Sequence, residues 1–113
     1  MEYDNAWESL CEHLRDSTHI LALIGAGLSA SSGIPTFSGA GAYWRGHESK
    51  SLATPSAFAK NPSLVWQFYE DRRQRAFAAL PNRGHAALAE LARLKPAFLA
   101  ISQNIDSERI HCR

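Results

Sequence analysis

The chain has 113 residues, enough for about one small domain, and 45% apolar with 20% charged residues fits a folded chain rather than a tail or fibre. Twelve Lys and Arg against eleven Asp and Glu leave a net charge of +1, which argues against a nucleic-acid binder built on a basic stripe. No apolar run approaches the roughly 20 residues that span a bilayer.

The first helical pattern runs from about Asp4 to Arg15, with Trp7, Leu10, Cys11 and Leu14 at i, i+3, i+4, i+7. Asp16-Ser17-Thr18 breaks it. His19 to Ile24 (HILALI) is a short apolar run bounded by turn residues, which predicts a strand of a parallel sheet buried on both faces. Gly25-Ala26-Gly27 follows at once, and Leu28 to Ser32 can open a short helix before Gly33-Ile34-Pro35. No period holds from Thr36 to Lys50, a stretch broken by Gly39, Gly41 and Gly46, so a long mobile loop is expected there. Thr54-Pro55 and Asn61-Pro62 each pair an N-cap with a proline at the first helical position. The second pair opens a long helix, about Pro62 to Ala79, that Pro81-Asn82 ends. A further helix runs from about Arg83 to Leu94, and Ala97 to Ser102 (AFLAIS) is a second buried-strand candidate, followed by Gln103-Asn104-Ile105-Asp106.

Strand, glycine turn, helices and strand make a βαβ unit, so the class is α/β with a right-handed crossover. In such sheets ligands bind beyond the carboxyl ends of the strands. Both motif-bearing turns, Gly25 to Gly27 and Gln103 to Asp106, sit at such ends and should converge in space. Gly25-x-Gly27-x-x-Ala30 fits a dinucleotide turn: glycine takes φ > 0 at little cost, and a missing Cβ lets backbone N–H groups approach a pyrophosphate. A glycine-rich strand-to-helix turn without a ligand fits the same residues. The acid expected about 20 positions on is met only by Glu48, in the loop rather than after a strand, which disfavours a dehydrogenase. Asn104 and Asp106 alone would read as a strand-end turn.

The longer string Gly25-Ala26-Gly27-Leu28-Ser29-Ala30-Ser31-Ser32-Gly33-Ile34-Pro35-Thr36-Phe37 resembles the sirtuin signature, and Ser102-Gln103-Asn104-Ile105-Asp106 resembles that family's second motif. Sirtuins are NAD-dependent protein-lysine deacylases that transfer the acyl group to ADP-ribose. The resemblance implies an incomplete Rossmann-like parallel sheet with helices (sirtuin-type, DHS-like NAD/FAD-binding), of which residues 1–113 would be the N-terminal portion. It implies that Gly25, Ala26 and Gly27 cradle the NAD pyrophosphate, with Ser29 among the cofactor-binding residues. Pro35, Thr36, Phe37 and Trp44 would belong to the cofactor-binding set, with Phe37 shielding the nicotinamide pocket. Gln103 and Asn104 would position the nicotinamide ribose, Asp106 would hold the nicotinamide carboxamide, and Ile105 would belong to the cofactor-binding set. Partners would be acyl-lysine proteins, with neither nucleic acid nor membrane.

Tyr69 and Arg72, three apart on the long helix, share one face. A guanidinium fork and a phenol together suit a carboxylate, although pairing of Arg72 with a neighbouring acid serves as well. Phe68-Tyr69-Glu70-Asp71-Arg72-Arg73, Gly41-Ala42-Tyr43-Trp44-Arg45 and Leu52-Ala53-Thr54-Pro55 are similar to the sirtuin subgroup that removes malonyl, succinyl and glutaryl groups. Tyr69 and Arg72 would then bind the acyl carboxylate.

The sequence departs from the pattern in three places. Ser38 stands where the signature has Arg. After Asp106, residues 107–113 do not continue the family's apolar-His segment, so no catalytic residue is assigned, and His111 does not replace the general base. Cys11 and Cys112 form no CxxC, so the family's zinc ligands, the small domain that carries them and the family's C-terminal strands are expected to be absent. His85, after Asn82-Arg83-Gly84, is expected to cap or pack. A truncated product is expected, with residues 107–113 a non-family tail and no turnover by this chain. A non-catalytic NAD or ADP-ribose binder and a partner-dependent or non-functional fragment are the alternatives. No secretory or transit pattern opens the chain, and an intracellular location is expected.

Overall fold

The structure, a computed structural model, describes residues 2–37 and 39–104. Helix α1 spans Glu2–Asp16 and leads into strand β1, His19–Ile24. The short helix α2, Ala26–Ala30, starts directly at Gly25, two residues earlier than the sequence suggests. Long helices α5 (Pro62–Ala78) and α6 (Arg83–Leu94) precede strand β4, Ala97–Ser102. Strand β4 pairs with β1 in parallel, His19 opposite Ala97 through Ile24 opposite Ser102. The chain therefore passes from one strand to its parallel neighbour through helices, as a βαβ unit must.

The stretch 36–50 is not a structureless loop. It folds into a 3-10 turn (Gly39–Ala42), strands β2 (Tyr43–Trp44) and β3 (His47–Glu48), and helix α3 (Ser49–Leu52). β2 and β3 form an antiparallel hairpin whose two turn residues, Arg45 (φ 48°) and Gly46 (φ 79°), both have positive φ. A two-residue turn of that hand matches the twist of a hairpin. Strands of two residues carry no detectable period, which is why the sequence shows no regular element there.

Capping is local, and it follows the sequence closely. Thr54 Oγ1 accepts from Ala57 N at the start of helix α4 (Pro55–Lys60), and Asn61 Oδ1 accepts from Leu64 N at the start of α5. Asn82 Oδ1 accepts from Gly84 N and His85 N, while His85 Nδ1 accepts from Asn82 N, a reciprocal cap that opens α6. His85 is buried in this capping role.

The expected burial of both sheet faces is not met. Ile24 is buried, but on the opposite face Leu21 and Leu23 are 62% and 68% exposed, and Leu99 and Ile101 opposite them are exposed too. Two strands covered on one side leave the alternate side chains open. Buried apolar side chains among the described residues are Ile24, Leu52, Val65 and Phe68. The radius of gyration is 17.8 Å, against about 13 Å for a compact chain of this length. The fold is elongated around a thin core.

Candidate functional site

The carboxyl ends of β1 and β4 open into a cleft of about 440 Å³. One wall comes from the two strand ends. Gln103 N donates to Ile24 O at 3.0 Å, which extends the ladder by one residue and fixes where β4 stops. Asn104 Nδ2 then donates to Gly25 O at 2.8 Å and to Ser29 Oγ at 3.1 Å. These bonds join two motifs that lie 79 and 75 residues apart in sequence, and Ser29 is buried beneath them.

The opposite wall comes from α5 and the segment after α2. Arg72 Nη2 donates to Pro35 O at 3.2 Å, and its guanidinium lies 4.3 Å from the centre of the Phe37 ring and 5.5 Å from that of Phe68. Burial lowers the pKa of Arg72, the nearby Tyr69 raises it, and Arg75 adds a smaller lowering. A half-buried cation on aromatic faces has lost hydration that an anion can replace. Tyr69 packs edge-on against Phe68 at 5.2 Å and lines the same cleft.

The cleft thus gathers Ala26, Ser29, Pro35, Phe37, Gln103 and Asn104, with Tyr69 and Arg72. Gly25 joins through the Asn104 bond. Gly27 and Thr36 adjoin these residues in sequence but do not line the cleft. Trp44 stands away from it: its Nε1 donates to Asp71 Oδ2 at 3.2 Å and its ring packs edge-on against Phe68 at 5.5 Å. Ile105 and Asp106 lie outside the described residues, as do Ser38, His111 and Cys112. Ile34 lines the cleft without any signal in the sequence beyond its place next to Pro35.

The turn glycines act differently from expectation. Gly25 has φ −114°, and the glycines with positive φ are Gly33, Gly39 and Gly46. Left-handed backbone is therefore not why glycine suits Gly25 or Gly27. A Cβ added at either would meet no protein atom within 4 Å. Both glycines border open space, and a side chain would intrude into it. Among the described residues, no group of three or more His, Cys, Asp or Glu could hold a metal ion.

The sequence pattern of the Sir2 family matches residues 25–111. This chain belongs to the Sir2 family. It is 54% identical over 92 residues to the dog protein named NAD-dependent protein deacylase sirtuin-5, mitochondrial, with 78% of this chain and 30% of the relative covered. It is 48% identical over 99 residues to an NAD-dependent protein deacylase of Leptospira interrogans, with 88% and 40% covered. The chain spans roughly a third of the length of the curated relatives it matches. A Sir2 homologue in complex with NAD superposes with a TM-score of 0.80 at 44% identity, covering 94% of this chain and 42% of that one. A mutant Sir2 homologue in complex with 2′-O-acetyl-ADP-ribose gives 0.85 at 44% identity, covering 94% and 43%. The Rossmann-like α/β class of this Sir2-family chain follows, as part of that fold.

Proposed function

We propose that this Sir2-family chain carries the nucleotide-binding part of an NAD-dependent protein-lysine deacylase site and binds NAD or ADP-ribose in the cleft between the ends of β1 and β4. The observation that carries the reading is the Asn104 side chain, which ties the end of β4 to Gly25 and Ser29 beside open space. That space fits the cofactor: Gly25 and Gly27 border open space with no side chain to fill it. In this reading Gly25, Ala26, Gly27 and Ser29 hold the pyrophosphate. Gln103, Asn104, Ile105 and Asp106 orient the nicotinamide ribose and carboxamide. Pro35, Thr36 and Phe37 close over the nicotinamide pocket and exclude water, and Trp44 supports that wall through Phe68. When bound, NAD would supply the ribose carbon that the acyl-lysine oxygen attacks as its bond to nicotinamide breaks and nicotinamide leaves.

Arg72 and Tyr69 support a reading of the acyl group. Their neighbouring positions in the cleft, with the similarity to relatives named sirtuin-5, support recognition of an acidic acyl chain on a protein lysine. The ionisable residues that line the cleft are Tyr69 and Arg72. In this reading the described residues bind and orient, and the chain by itself is expected to bind nucleotide without turnover. An intracellular site of action fits a deacylase, and the dog and zebrafish relatives are named mitochondrial. No helix among the described residues is long and apolar enough to cross a membrane.

Isothermal titration of the chain with NAD and ADP-ribose tests the reading. Binding of both is expected, and Asn104→Ala should weaken it about tenfold, since two hydrogen bonds that shape the cleft are lost. Absence of heat with either ligand, on a chain whose circular dichroism shows helix, defeats the nucleotide reading. Acyl-lysine turnover by the same preparation with NAD would overturn the claim that it only binds.

A further inference from the structure

The nucleotide-facing segment is gripped from a second side. Asn104 holds its front, at Gly25 and Ser29, from the end of β4. Its back is held by Asn82, at the start of α6: Asn82 Nδ2 donates to Leu28 O at 2.7 Å and to Ser32 Oγ at 3.0 Å. The same side chain uses its oxygen to cap α6, accepting from Gly84 N and His85 N. One amide thus performs two separable tasks with two different atoms. The close approach is possible because residue 84 is glycine; a Cβ there would come within 2.7 Å of Leu28 Cδ1.

We infer that Asn82 is a positioning residue for the nucleotide loop, acting through Leu28 and Ser32, and that this role is distinct from its helix cap. The physical need is clear from the length of α2. Five residues form little more than one turn, far below the length at which a helix is stable by itself. Its geometry must come from outside. Leu28 O belongs to the last turn of α2, where carbonyls lack partners within the helix, and Asn82 Nδ2 satisfies it. Asn82 and Asn104 then hold α2 from opposite ends of the crossover, so that the turn at Gly25 and the helix after it keep one arrangement beside the cleft. This inference rests on the nucleotide reading for its consequence, while the clamp itself can be observed without ligand.

Asn82→Asp separates the two tasks. Aspartate keeps an oxygen for the cap, and the two residues rank equally at that position. It loses both N–H donors and sets an oxygen against Leu28 O. The experiment measures amide hydrogen exchange and ADP-ribose affinity on the full chain and on this variant. Exchange is expected to speed about tenfold or more for amides in 26–33 while 85–94 keep their protection, and the Kd for ADP-ribose is expected to rise about tenfold. Unchanged exchange at 26–33, or equal loss of protection in both segments, would overturn the proposal, the latter by reducing Asn82 to a cap. Asn82→Ala, which removes cap and clamp together, should lose protection in both segments and gives the pattern for comparison. Failure of the unmodified chain to bind ADP-ribose would defeat the nucleotide reading, and the exchange pattern would still decide the clamp.

Discussion

Phe68 connects the parts of the site that the sequence scatters. Its ring is 1% exposed, packs edge-on against Trp44 and Tyr69, and lies beneath the Arg72 guanidinium. Phe68→Ala is expected to cost about 3–5 kcal/mol, measured by urea denaturation followed by tryptophan fluorescence; a loss under about 1 kcal/mol would contradict the packing. Arg72 tests the acyl assignment. Arg72→Lys keeps a positive charge but loses the planar fork that pairs with a carboxylate. With ADP-ribose present, affinity for a succinyl-lysine peptide should fall about tenfold, while an acetyl-lysine peptide should change little. Equal losses for both peptides would leave Arg72 as a support for Pro35 and Phe37 only. The identity of these residues was legible in the sequence, because motif spacing survives without knowledge of the fold. Asn82 was legible only as a helix stop, because its partner Leu28 is 54 residues away and no local pattern encodes such a bond.

Caps and turns decide where the elements begin. Thr54 and Asn61 each accept a hydrogen bond from the amide three residues on. Asn61→Ala is expected to cost about 1 kcal/mol, read as a lower urea midpoint with an unchanged slope. These starts follow from sequence because both partners of the cap lie in one short segment. The β2–β3 hairpin is the opposite case. Its strands have two residues each, and its turn depends on Arg45 and Gly46 in left-handed backbone. Gly46→Ala should destabilise the hairpin by about 1–2 kcal/mol, detected by a change in Trp44 fluorescence at low urea. No hydrophobic alternation exists over two residues, so only the three-dimensional placement of Trp44 on Phe68 shows what the hairpin is for.

Across the whole molecule, a thin core and an open sheet face set the stability. Leu23→Lys on the open face is expected to change stability by less than about 0.5 kcal/mol, while Ile24→Ala, one residue along on the covered face, should cost about 2–5 kcal/mol. Chemical denaturation of the two variants checks the contrast, and equal losses would mean that the open face is covered in solution. Bound nucleotide should contribute visibly to such a chain: ADP-ribose at a hundred times its Kd adds about 2.7 kcal/mol by mass action, seen as a rise in thermal midpoint.

The sequence by itself determined the α/β order of the main elements, the starts of α4, α5 and α6, and the two motifs that carry the Sir2 resemblance. Each of these depends on residues close together in the chain, where spacing, capping and φ preference act directly. Tertiary structure decided what those motifs do to one another. It showed that Gly25 and Gly27 border open space and do not have positive φ. It also placed Asn104 and Asn82 on either side of a five-residue helix. That placement rests on contacts between residues more than fifty positions apart, and only the folded sheet and its crossover bring those residues within hydrogen-bond reach.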